Sequence, residues 1–63
     1  MPTTTTVYLI RDADGTYWDE IQLLWGKLEY ATPHKIRCEA EDAIVERGLE
    51  DARVVTATVT VED

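Results

Sequence analysis

Phenylalanine is absent, cysteine and histidine occur once each, and only 6 residues are basic against 13 acidic. Each shortage closes a route. A lone cysteine excludes an intrachain disulfide, so nothing points to an oxidising compartment. His34 and Cys38 cannot by themselves complete a zinc site, which needs about four ligands. The scarcity of basic residues leaves a net charge of −7, which repels nucleic acid at long range and favours basic protein partners or solubility. No Gly-rich phosphate loop and no Ser–His–Asp set can be assembled, so no enzyme activity, cofactor or metal is expected. Residues 1–6 lack the basic region and apolar core of a signal peptide, and the apolar stretch 7–10 is far too short to span a bilayer. The expectation is a cytoplasmic protein with no membrane contact.

What remains is a 63-residue chain that fits one domain, 1–63, with residues 1–3 expected to be flexible. A chain of this size buries only about 60% of the surface it exposes when unfolded, which leaves little room for a deep catalytic cleft. Its clearest element is Thr32-Pro33 through Gly48. Thr32 suits a helix N-cap, Pro33 the first helical position, and Gly48 the left-handed residue that ends a helix. Helical spacing places Ile36, Ala40, Ala43 and Ile44 on one face, expected to pack on a sheet. Glu39, Asp42 and Glu46 form an acidic stripe on a flank, with Cys38 and Val45 as a small apolar spot beside it.

Two flanking segments read as strands. Residues 3–11 are rich in β-branched side chains, and residues 53–62 alternate with period two. In the second, Val55, Ala57, Val59 and Val61 are expected on a buried face, and Val54, Thr56, Thr58 and Thr60 on a mostly wet one. Asp12-Ala13-Asp14-Gly15 reads as a hairpin turn. A calcium loop counted from Asp12 would need a carboxylate where Leu23 stands.

Residues 16–31 admit two readings. Thr16, Tyr17 and Trp18 are good strand formers after a turn, and Gly26 suits a turn between two short strands. Ile21, Leu24, Trp25 and Leu28 nevertheless sit at i, i+3, i+4 and i+7, the spacing of a helix stripe. The strand reading is adopted. It gives an α+β fold, strand-strand-strand-helix-strand, with an antiparallel-rich sheet of three to four strands packed on one main helix. The alternative order is strand-helix-helix-strand.

The run Asp12-Ala13-Asp14-Gly15-Thr16-Tyr17-Trp18, followed by Thr32, Pro33, Ile36, Ala40, Ala43 and Ile44, resembles the N-terminal domain of HicB-type antitoxins over residues 7–46. The resemblance implies a partial ribonuclease-H-like α+β fold without nuclease activity, oligomerisation, and binding to a small basic mRNA-cleaving toxin. The family's Pro-Gly-Cys segment has no counterpart here beyond Trp25-Gly26-Lys27, and operator binding is not carried over.

The functional expectation is therefore a non-catalytic, antitoxin-like binding module that neutralises a basic, nucleic-acid-acting partner. Its contact residues would be Cys38, Glu39, Asp42, Val45, Glu46, Glu50 and Asp51, with Trp25 as an aromatic anchor. Exposed strand edges in so small a sheet also invite a homodimer. One alternative is a phage-type acidic inhibitor whose carboxylates imitate phosphates. The other is a winged-helix DNA binder, with residues 19–30 as scaffold helix and Lys35 and Arg37 facing DNA. Glu39, Glu41, Asp42 and Glu46 on the same helix oppose that last reading.

Overall fold

A computed structural model describes residues 1–62. Its elements are β1 (Thr3–Arg11), β2 (Tyr17–Asp19), β3 (Leu24–Gly26), a 3-10 turn (Leu28–Tyr30), helix α1 (Arg37–Arg47) and β4 (Arg53–Val61). The strands form one antiparallel sheet in the order β3-β2-β1-β4, so the fold is α+β with one helix. No described helix is long and apolar enough to cross a membrane. The alternative helix pair does not form, because residues 17–26 are strand, turn and strand.

β1 and β4 pair over nine residues, from Thr3 opposite Val61 to Arg11 opposite Arg53. Nine extended residues reach about 30 Å. That ladder dominates the elongated outline of 40 × 22 × 20 Å.

The turn from β1 to β2 is built by Asp12. Its carboxylate accepts the backbone N–H groups of Asp14 (3.0 Å) and Thr16 (2.9 Å) and the Thr16 hydroxyl (2.6 Å), while Gly15 takes φ 88°. This is an aspartate-organised turn whose carboxylate is committed to the loop itself.

The next turn is not at Gly26, as expected, but at residues 20–23; Gly26 ends β3, opposite Tyr17. Asp19 is the reason. It is buried, and its Oδ1 accepts the N–H groups of Ile21 (2.9 Å) and Gln22 (3.0 Å), while its carbonyl accepts that of Leu23 (2.8 Å). Leu23 closes this turn at φ 57°, a left-handed conformation that costs a residue with a Cβ about 1–2 kcal/mol.

Helix α1 begins four residues later than its Thr32 cap implied. Thr32 spends its hydroxyl oxygen on the backbone N–H of Glu20 (2.9 Å) and its own N–H on the Trp18 carbonyl (3.2 Å). His34 then forms a bridge with Tyr8 through both of its backbone groups (2.8 and 2.9 Å). This stretch is thus held extended against the sheet, and Ile36 becomes the N-cap with no capping side chain. Ile36 is 55% exposed and leaves the packing face it was expected to share. The other end is as expected. Gly48 adopts φ 61°, its N–H reaches the carbonyls of Ile44 and Val45, and the Leu49 N–H bonds to Ile44 (3.0 Å).

The core gathers Ile10, Trp18, Ala40 and Ala43, with Tyr8, Trp25, Ile44, Leu49, Ala52 and Val54 packed around them. Ala40 and Ala43 are small enough for the helix backbone to sit close to the sheet. Trp18 and Trp25 meet edge to face, with centroids 5.3 Å apart.

Thr56, Thr58 and Thr60 are exposed and Val55 and Ala57 half-buried, as expected, but the helix does not cover the valine face of β4. Val54, opposite Ile10, belongs to the helix-covered core, so alternation turns Val55, Ala57, Val59 and Val61 to the other face, together with Val7 and Leu9. Leu9 is buried there, but no helix packs on that face, and Val59 and Val61 stay 41% and 54% exposed. Period two separates two sets of side chains; the position of Ile10 and Trp18 decides which set the helix covers.

Candidate protein-binding surface

With Ala40 and Ala43 facing the sheet, 100° steps turn Cys38, Asp42 and Val45 to the opposite side of α1. Glu39 and Glu46 lie on one flank of that side, and all five residues are exposed. Val45, at 80%, is an isolated branched apolar side chain among carboxylates. Glu50 and Asp51 are exposed in the turn after Gly48, with Asp51 at φ 56°. Among the described residues, none of these five acids has a side-chain hydrogen bond or an ion pair.

The helix carries two arginines, and both are engaged away from this stripe. Arg37 pairs with Glu41 one turn on (3.1 Å), an exposed contact of about 0.3–0.5 kcal/mol. Arg47 directs Nε (2.9 Å) and Nη2 (2.8 Å) to Oε1 of Glu20. The outward stripe therefore presents unneutralised negative charge.

Glu20 was not foreseen as a structural centre. Its Oε2 also accepts the Trp18 indole N–H, so it ties the β2–β3 turn to the core and to the end of α1. Burial pushes its carboxyl pKa up, but the bonds from Trp18 and Arg47, with the charges of Arg47 and His34, hold it below the usual glutamate value. Glu20 and Arg47 are 27 positions apart, and no local sequence signal links them.

The remaining candidates have plainer placements. Trp25 is half-buried against Trp18, leaving only part of its ring for a partner. Cys38 is a free, exposed thiol on α1. His34 precedes the helix in extended backbone, so the helical i, i+4 relation that would align it with Cys38 does not exist. His34 Nε2 and Arg11 Nε are buried without a hydrogen-bond partner.

A shallow groove of about 390 Å³ runs beside β3, lined by Asp19, Gln22, Leu24, Gly26, Lys27 and Tyr30. Its Asp19 carboxylate already serves the turn, which leaves the Gln22 amide, Lys27 and the Tyr30 hydroxyl as polar groups of the lining free for other partners.

Compared with protein-family models, with curated proteins and with solved structures, the chain shows no match in any of the three.

Proposed function

We propose that this chain is a non-catalytic protein-binding module, antitoxin-like in style, that neutralises a basic, nucleic-acid-acting partner through the outward face of α1. The observation that supports this reading is the unpaired state of Glu39, Asp42 and Glu46 around exposed Val45, while Arg37 and Arg47 are committed elsewhere. Unneutralised carboxylates steer a cationic surface into encounter, and each exposed pair adds about 0.2–1 kcal/mol. A stable complex also needs desolvated apolar contact at its centre, which Val45 and Cys38 supply. Glu50 and Asp51 extend the negative field past the helix end.

An acidic inhibitor that imitates nucleic acid would use the same carboxylates against a nucleic-acid-processing enzyme. The winged-helix reading loses its scaffold, because residues 19–30 contain a turn and two short structured pieces instead of a helix.

The test is calorimetric titration with a small basic RNA-cleaving toxin, using the wild type, Glu39→Gln/Asp42→Asn/Glu46→Gln, and Val45→Asp. Binding that weakens with salt, falls about tenfold or more in the triple variant and is lost in Val45→Asp agrees with the proposal. Equal affinities for all three chains reject it.

A further inference from the structure

β4 is an edge strand along its whole length, since the sheet order gives it a neighbour only in β1 among the described residues. Between Arg53 and Glu62 it contains no charge, proline or glycine, the devices that usually blunt an edge. The outer part of the β1–β4 ladder is barer still. Among the described residues β2 pairs with β1 at Arg11, and the outermost backbone pairing on that side is the His34 bridge at Tyr8. Residues 3–7 with 57–61 therefore form a two-stranded ribbon, an arrangement that is marginal in water on its own.

We propose that β4 pairs with β4 of a second copy, antiparallel about a two-fold axis at Ala57, so that two four-stranded sheets become one of eight strands. The strand is complementary to its own inverse. In this register Val55 meets the partner's Val59, Thr56 meets the partner's Thr58, and Ala57 meets the partner's Ala57, so like side chains oppose like across the central five residues, while Val54 meets the partner's Thr60 beyond them. Arg53 comes beside the acidic end of the other copy at Glu62, whereas a parallel pairing would set Arg53 against Arg53 and Glu62 against Glu62. A slip by one residue would turn the valine face of one copy to the threonine face of the other.

The arrangement also supports what each copy leaves weak. The bare ribbon at residues 57–61 lies against residues 53–57 of the other copy, the end of β4 that its own helix covers. The valine stripe on the open face then runs unbroken across the junction. This assembly needs no basic partner and does not rest on the reading of α1.

Sedimentation of the full chain tests it, with Ala57→Lys and Ala57→Glu. Ala57 is on the face free of helix packing, and at the axis each substitution opposes two like charges. A dimer mass for the wild type, monomer masses for both variants and a dimer from their equimolar mixture support the proposal. A wild-type monomer at every concentration overturns it, as does a dimer that neither substitution disturbs. Amide hydrogen exchange on the wild type keeps the test independent of variant folding. Protection of consecutive β4 amides that is lost on dilution supports pairing, whereas alternating protection at every concentration, as in a lone edge strand, contradicts it.

Discussion

Thr32 and Glu20, twelve positions apart, are joined by a hydrogen bond from the Glu20 N–H to the Thr32 hydroxyl at 2.9 Å, which takes that hydroxyl away from any helix cap. A threonine that reads locally as a cap is instead the anchor that holds the 32–34 segment to the sheet.

Removing that acceptor leaves a part-buried N–H without a partner. Thr32→Val is expected to lower stability by about 1–2 kcal/mol, and Thr32→Ser to keep most of it. Urea unfolding checks this: the midpoint falls for valine with an unchanged slope, and α1 still starts at Arg37 by chemical shift.

Leu23 carries a left-handed backbone that glycine adopts freely. Leu23→Gly is expected to relieve about 1 kcal/mol of backbone strain, while Leu23→Ala retains it. Because the Leu23 side chain is half in solvent, the glycine variant should unfold at equal or higher urea than the alanine variant. The reverse order would show that the side chain outweighs its backbone.

Gly48 gives the opposite case. A Cβ there would meet nothing within 4 Å, so the cost of Gly48→Ala is set by φ 61° alone. A loss of about 1 kcal/mol is expected, measured by thermal unfolding. A much larger loss would mean that the helix end unravels beyond its cap.

Acid should weaken the fold through two carboxylates. The Thr16 hydroxyl bond holds Asp12 below its usual value of 3.8, against a smaller opposing effect of burial, with further help from the loop N–H groups. At Glu20, burial is outweighed by Trp18, Arg47 and His34, which hold it below 4.5. A group whose pKa is depressed on folding contributes stability that is full above its unfolded value and is lost as pH falls through the folded one. The contribution of these two groups should therefore be full above these ordinary values and decline below them. The gap between wild type and Glu20→Gln should narrow over the same range, as measured by urea unfolding at stepped pH. A gap that widens on acidification would contradict the assignment.

The parts of this fold that local chemistry dictates were legible in the sequence. β1 and β4 follow from runs of β-branched residues, the first turn from Asp12 and Gly15, and the helix end from Gly48. The rest depends on distant partners. Thr32 is diverted by Glu20, the turn at residues 20–23 forms because Asp19 folds over its own N–H groups, and Leu23 accepts a conformation its side chain disfavours. The candidate surface was legible in the same measure. Helical spacing placed Cys38, Glu39, Asp42, Val45 and Glu46 outward, but only the tertiary structure shows that Arg47 is withdrawn to Glu20.

The most direct measurement is amide shift mapping of the isotope-labelled chain on titration with a small basic RNA-cleaving toxin. The account predicts perturbation centred on Cys38, Glu39, Asp42, Val45 and Glu46, spreading to Glu50 and Asp51, that fades as salt is raised. No perturbation, or perturbation confined to the groove beside Leu24 and Tyr30, would contradict it.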